Sequence, residues 1–394
     1  MSDLRDAFLS HLAQTSPFPI ALDIVGAEGC HLHTRDGKQY LDLVAGLAVN
    51  NVGHRHPKVI AAIKEQADRY LHVIPYGEFL QEPQVRFAEA LTELLPTGLD
   101  NAYFVNSGTE ANEAALKLAK RITGRTGVVA CHKSYHGSTH GSLSITGNEE
   151  KKYRNRPLLP GVRFMGFNVA EDLLLIDGGT AAVIVEPVQG DAGIRVPDGS
   201  WMLALRNRCD ETGAMLIFDE VQTGFGRTGK LFAFEHFGVV PDILVLGKAL
   251  GGGMPMGAFV SSCERMELLT HDPVLGHITT FGGHPIPCVA GAAALEVLQE
   301  EDLAANAERM GALFKKLLVH PAIKEVRGMG LMLAVELGDA EKVQRVVMGC
   351  LGRGVLGFWF LSCPTAFRIA PPLCITEELV REACAAILAE LEGL

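Results

Sequence analysis

The sequence predicts an α/β protein built on a mainly parallel sheet, with a smaller α+β domain toward its C-terminal end. Three observations carry that expectation. The apolar runs "AAVIVEP" (Ala181 to Pro187), "AMLIFDE" (Ala214 to Glu220) and "ILVLGK" (Ile243 to Lys248) lack two-residue alternation, the pattern of strands covered on both faces. About thirty residues separate successive runs, enough for a crossover helix each time. Each run ends in an ionisable residue, Glu186, Asp219 or Lys248, and ligands of open α/β sheets gather at the carboxyl ends of strands.

The elements between the runs follow. "GSWMLALRNRCDETG" (Gly199 to Gly213) fits a crossover helix that Gly213 stops. Upstream, "AYFV" in "NAYFVNSGTEANEAALKLAKRI" (Asn101 to Ile122) is a strand, and Ser107 starts a helix with Glu110 three residues on, a capping box. Ala111, Ala115, Leu118, Ala119 and Ile122 repeat at helical spacing. A helix opening at a strand end, with Gly108 in its first turn, is either an ordinary capped helix or an anion site. From about Ala290 onward, helical patterns alternate with short strands such as "GLMLAVEL" (Gly330 to Leu337). The closing helix takes Thr376 as N-cap and Leu379, Ala383, Ile387 and Leu391 as its apolar face.

Composition limits the function. With 394 residues, 48% hydrophobic and 21% charged, the chain has material for two domains and a large buried sheet. A net charge of −11 argues against nucleic acid, and "KKYRNR" (Lys151 to Arg156) reads as a solvated loop. Nine cysteines without a C-x-x-C suit a reducing cytoplasm, with Cys131 and Cys288 as packing residues. "MSDLRDAFLS" is no signal peptide, and the sequence lacks a run of about 18 apolar residues that would span a membrane. His54 and His56 in "GHRHP" have no third ligand nearby, so no metal is expected there.

Lys248 is the unusual residue. A P-loop fails, because Asp242 and Ala249 stand where glycine and Ser or Thr are needed. The "LGGGMPMG" glycines do not set G-x-G-x-x-G between a strand and a helix. A lysine in an apolar pocket loses charge readily and can form a Schiff base, as in pyridoxal phosphate chemistry, where an acid partners the ring nitrogen. Asp219 is the candidate acid; a helix cap or salt bridge is its other reading.

The motifs "GLAVNNVGHRHP", "NSGTEANEAALKLA", "YHG", "EPVQG", "LIFDEVQTGFGRTG", "LGKALGGGMPMGA", "TTFGGHP" and "FRIAPPL" occur in this order over nearly the whole chain. Together they resemble the class III aminotransferases, pyridoxal phosphate enzymes that include the ornithine, acetylornithine and 4-aminobutyrate aminotransferases. The resemblance implies a fold-type I transferase. Residues 1–45 would form an N-terminal segment packing with the small domain, 46–290 the large cofactor-binding domain, and 291–394 the small domain. It implies that Lys248 is the Schiff-base lysine and proton shuttle and Asp219 the partner of the ring nitrogen. Gln222 would contact the ring hydroxyl, and Val221 and Tyr135 would cover the two ring faces. Ser107, Gly108 and Thr109 would cradle the phosphate, with Glu186 supporting the cofactor. Thr280 would reach the phosphate held by a partner subunit, which implies a homodimer with shared active sites. Arg368 would grip a substrate carboxylate. His136 and Arg227 are expected to be structural, Arg227 as an ion-pair former.

Two positions depart from the ornithine-like pattern. Ser138 follows "HG" where those enzymes usually carry a carboxylate-binding arginine, which resembles the ω-amine branch instead. Asp191 replaces the glutamate of "EPVQGE", which in the family can pair with and gate the carboxylate-binding arginine. Arg368 still implies a carboxylate on one substrate. The expected reaction is therefore transfer from an ω-amino acid to a 2-oxo acid, 2-oxoglutarate in the first instance, by ping-pong kinetics. An ω-amine donor of the taurine, β-alanine or diamine type, or a non-transaminating reaction on the same cofactor, are the alternatives. "VIPYGEF" (Val73 to Phe79) and "GFWFLSC" (Gly357 to Cys363) match no family pattern and are read as entrance, dimer contact or core.

Overall fold

The computed structural model describes residues 4–75 and 77–394. Its central sheet has seven strands: β1 (Asn101–Val105), β2 (Gly127–Cys131), β3 (Val162–Met165), β4 (Thr180–Val185), β5 (Met215–Asp219), β6 (Ile243–Gly247) and β7 (Gly257–Ser261). The spatial order is β1-β7-β6-β5-β4-β2-β3. Neighbours from β3 to β6 pair in parallel, whereas β7 runs antiparallel to both β6 and β1. Every residue of β4, β6 and β7 is buried. That is why these runs are apolar at consecutive positions. Val183, Val185, Leu216 and Phe218 enter one hydrophobic cluster, while Ala182, Ile184 and Ile217 enter another on the opposite face.

Helix α1 (Gly108–Thr123) leaves β1 and buries Ala111, Ala114, Ala115, Leu118 and Ala119. Ser107 caps it, its hydroxyl accepting from Glu110 N–H at 3.3 Å. The reciprocal bond differs from the sequence expectation. Glu110 Oε2 accepts from the N–H of Asn106 at 2.8 Å, one residue before the cap. Helix α2 (Gly199–Thr212) crosses from β4 toward β5 and stops at Gly213, whose φ of 67° favours glycine.

Two smaller sheets flank this frame. One joins Ile24–Glu28, His31–Thr34, Gln39–Asp42 and Val355–Leu356 in that order, the last pairing parallel with Gln39–Asp42. The other is antiparallel and joins Glu325–Met329, Met332–Glu336, Ala366–Ile369 and Phe358–Trp359. Arg368 lies on its third strand, opposite Ala334 and Phe358. The closing helix, Glu377–Leu391, is capped by Thr376, whose hydroxyl accepts from Leu379 N–H at 3.3 Å.

Arg227 is structural, but not as an ion-pair former. Its guanidinium is fully buried and donates to the carbonyls of Leu331 (3.0 Å) and Pro371 (2.6 Å) and to the amide oxygen of Asn51. It therefore ties three separate segments together. Burial lowers its pKa to about 9, against a smaller opposing effect of Asp42. His54 and His56 each face a carboxylate, Asp42 at 2.8 Å and Glu301 at 3.1 Å. Among the described residues, no group of three or more His, Cys, Asp or Glu is arranged to hold a metal, and no helix is long and apolar enough to cross a membrane.

Candidate active site

The strand ends converge on one cavity of about 520 Å³. Glu186 follows β4, Asp219 ends β5 and Lys248 follows β6, and all three line it. Ser107, Gly108 and Thr109 enter from the start of α1, and Tyr135 and Ser138 from the loop after β2. Val221, Gln222 and Asp191 complete the predicted set in the wall. Thr280 and Arg368 do not line it. Thr280 is exposed elsewhere on the surface. Arg368 is buried behind Asp191, with Nη2 3.8 Å from Asp191 Oδ1.

Asp219 is fixed by three donors. Its Oδ2 lies 2.7 Å from His136 Nδ1 and 2.8 Å from Asn112 Nδ2, and its Oδ1 accepts from Val221 N–H at 3.0 Å. Both supporting side chains are buried, and His136 Nε2 has no hydrogen-bond partner among the described residues. Asn112 also donates to the His136 carbonyl at 2.7 Å. The sequence reading gave neither residue a role at the site. The available signal was Asn112, a polar residue inside the otherwise apolar face of α1.

Glu186 accepts from the N–H groups of Tyr135 (3.0 Å) and Gly190 (2.9 Å). Burial pushes its carboxyl up to about 7, with Asp219 adding repulsion; His136 and the two N–H groups oppose the rise. Lys248 opens a short 3-10 turn with a φ of 48°, an uncommon backbone for a side chain of this size. Burial lowers the Lys248 pKa, and the nearby Asp219 and Glu186 charges only partly offset it.

The floor is shaped by missing side chains. A Cβ on Gly108 would come within 2.8 Å of both Val221 methyl groups. A Cβ on Gly247 would stand 3.2 Å from Val221 and 3.3 Å from Gly108. On Gly257 it would meet the Ser107 carbonyl at 2.2 Å. Val221 therefore lies flat between two backbones, and the N-terminal turn of α1 is free to face an anion. Thr109 Oγ1 lies 2.9 Å from Thr139 Oγ1 at that end.

The mouth departs from the solvated loop expected of "KKYRNR". Lys151 Nζ donates to Asp191 Oδ2 at 2.8 Å and sits 4.8 Å from the Tyr135 ring centroid. Lys152 is buried with Nζ 4.0 Å from the Phe164 ring centroid. Only Tyr153 to Arg156 are exposed. Burial raises the Asp191 carboxyl, but the Lys151 and Ser362 hydrogen bonds outweigh it and hold it below its ordinary range. Tyr135 Oη and Ser138 Oγ are 3.2 Å apart. "GFWFLSC" reaches this region from behind: Phe360 packs under the Arg368 guanidinium at 4.5 Å, and Ser362 bonds Asp191. The described residues of "VIPYGEF" do not line the cavity. Pro75, Gly77 and Phe79 border a separate depression with Gly282 and Gly283, and Tyr76 lies outside the described residues.

A buried lysine beside two carboxylates, with a helix N-terminus at one end of the cavity, is the kind of constellation that marks a functional site at the sheet's carboxyl edge. Residues 13–391 match the family model for aminotransferase class III, and the chain belongs to that family. It is 43% identical over 380 residues to an acetylornithine aminotransferase of Methanopyrus kandleri, covering 95% of each chain. The ornithine aminotransferase of Toxoplasma gondii superposes with a TM-score of 0.92 at 32% identity, over 99% of this chain and 93% of that one. An (S)-enantioselective ω-transaminase from Thermomicrobium roseum gives 0.91 at 30% identity, over 99% and 97%. The chain is thus a transaminase of fold type I, and its family implies pyridoxal phosphate. The cavity fits that group. Lys248 and Asp219 line it, α1 begins in its wall at Ser107, Gly108 and Thr109, and the space that a Cβ on Gly108 would fill is kept for Val221.

Proposed function

We propose that the chain moves an amino group from an ω-amino acid of the acetylornithine, ornithine or 4-aminobutyrate type to a 2-oxo acid, with 2-oxoglutarate as the acceptor. The observation that carries this reading is Arg368. Its guanidinium is buried, its Nε has no hydrogen-bond partner among the described residues, and its contact with Asp191 is 3.8 Å long. A buried cation so poorly compensated is suited to a carboxylate from outside. The named relative supports the donor class.

Pyridoxal phosphate, when bound, supplies a ring that takes up the electron pair left as a substrate carbon loses its proton. Lys248 would hold it covalently and, once displaced by the donor amine, take a proton from that carbon and return it elsewhere. Burial favours the neutral amine that such a base requires. Asp219, held by His136, Asn112 and the Val221 N–H, would keep a proton on the ring nitrogen. The α1 N-terminus, through Ser107, Gly108 and Thr109, would take the phosphate. Val221 and Tyr135 would cover the two ring faces, Gln222 would meet the ring hydroxyl, and Glu186 would brace the Tyr135 loop. Thr280, exposed and outside its own chain's cavity, would serve the phosphate of a second copy in a homodimer. Nine scattered free cysteines support a reducing cytoplasmic setting.

Ser138 is the observation that favours a second reading, an ω-amine donor without an α-carboxylate. A donor panel separates the two: acetylornithine, ornithine, 4-aminobutyrate, β-alanine, taurine, lysine and an uncharged alkylamine, each with 2-oxoglutarate or pyruvate. The proposal predicts a carboxylate-bearing donor preferred by about tenfold or more in kcat/KM over the alkylamine. Preference for the alkylamine contradicts it. Turnover with no oxo acid present rules out transamination.

A further inference from the structure

Asp191 stands between two cations and is bonded to only one. Its Oδ2 accepts from Lys151 Nζ at 2.8 Å and from Ser362 Oγ at 2.6 Å, and its Oδ1 accepts from Leu361 N–H at 3.2 Å. Ser362 is held in turn by Asn148 Nδ2 at 2.9 Å, and the Asn148 amide oxygen caps the turn Glu149–Lys151. Arg368 Nη2 is left at 3.8 Å, beyond hydrogen-bond reach. A carboxylate beside a buried guanidinium ordinarily closes into a short, often two-pronged pair. Here the competing donors prevent it. Arg368 keeps a packed face on Phe360, an unpartnered Nε, and no short bond to any carboxylate among the described residues.

We propose that Lys151 is a positioning residue that latches Asp191 away from Arg368 and so keeps Arg368 open to a substrate carboxylate. The inference rests on the reading of Arg368 as the carboxylate site and adds the device that keeps it available. Without the lysine, Asp191 loses its strongest charged partner and swings Oδ1, held only by the 3.2 Å bond from Leu361 N–H, onto the guanidinium, which then meets substrate already neutralised. The latch accounts for a cation held at the cavity mouth in a segment that is otherwise exposed from Tyr153 to Arg156 and buried only at Lys152. It also makes this chain selective for carboxylate-bearing substrates although Ser138 offers no charge.

The test measures binding apart from chemistry. Glutarate, a dicarboxylate with no oxo or amino group, is titrated calorimetrically into purified holoenzyme, and KM and kcat for 2-oxoglutarate are measured alongside. The proteins are wild type, Lys151→Met, Lys151→Gln, Lys151→Arg and the double variant Lys151→Met with Asp191→Asn. The Met and Gln variants are expected to bind glutarate about tenfold more weakly and to raise KM by more than they lower kcat. The Arg variant and the double variant are expected to stay within about threefold of wild-type binding, the double variant because no acid remains to close on Arg368. A merely structural lysine would not be rescued by removing Asp191. Unchanged glutarate binding in both neutral variants, or a double variant as weak as Lys151→Met, overturns the latch. Turnover by wild type with an unmoved glutarate affinity sinks the latch alone. A shifted affinity in an enzyme that does not transaminate sinks the assigned reaction and leaves the latch standing.

Discussion

Asp219 is fixed in a buried wall by three hydrogen-bonding neighbours, and the two side chains among them are themselves buried. Removing one donor leaves the carboxylate mobile and poorly solvated. His136→Phe is therefore expected to cost about 1 to 3 kcal/mol of cofactor binding, about fivefold to over a hundredfold in Kd by absorbance titration. An unchanged Kd would make His136 mere packing. Glu186 gives a pH prediction. Its folded pKa is raised from 4.5 to about 7, so between those values the native state holds a proton that the unfolded chain has released. Stability from this group is present below that window and falls as pH rises through it, by about 1.4 kcal/mol per pH unit at the steepest. Thermal melts of wild type and Glu186→Gln across and above the window test this: the wild type should lose ground to the variant as pH rises, then level off. A constant difference would contradict the assigned shift. The charged ends Glu186, Asp219 and Lys248 were legible in sequence because each closes an apolar run, where a charge is conspicuous. His136, Asn112 and Lys151 were not, because their partners lie 83, 107 and 40 residues away and only the fold brings them together.

At the scale of elements, the cavity floor depends on β6, β7 and α1 approaching without side chains between them. Gly108→Ala would drive a methyl into both Val221 methyl groups at 2.8 Å. Val221 must then move into the cavity or α1 must retreat. The expected outcome is a loss of about 1 to 3 kcal/mol in stability together with weaker cofactor binding, read by melting and by titration. Melting unchanged with binding unchanged would mean the floor yields freely. The core strands and α2 were legible because continuous apolar burial and a stop glycine are local signals. Strand direction was not: β7 turns the sheet antiparallel at one edge, and no local composition distinguishes that. The cap at α1 was legible in its residue types but not its wiring. Glu110 satisfies Asn106 rather than Ser107, which leaves the Ser107 N–H out of the cap. "KKYRNR" was misread for a related reason. A charge run reads as solvated unless the fold supplies Asp191 and the Phe164 ring beside it.

For the whole molecule, the proposal divides each active site between two copies. Thr280 is exposed, and next to its loop Phe281 packs against His72 while Phe79 and Leu80 stand open beside Gly282 and Gly283. An apolar surface around these residues is what a second copy would cover. If sites are shared, a mixed dimer of Lys248→Ala and Thr280→Ala chains carries one wholly intact site and one doubly damaged site. Mixing and reassociation should then raise activity above that of either variant alone, and activity that only averages the two would count against shared sites. The family was legible over the chain because long motifs occur in a fixed order, several of them at strand ends; the proposed second copy rests on Thr280. The central claim is that Lys248 is the covalent anchor at the end of β6. Borohydride reduction of purified holoenzyme followed by peptide mapping in a mass spectrometer tests it most directly. The account predicts a phosphopyridoxyl group on Lys248; a group found on another lysine, or none retained on the protein, would contradict it.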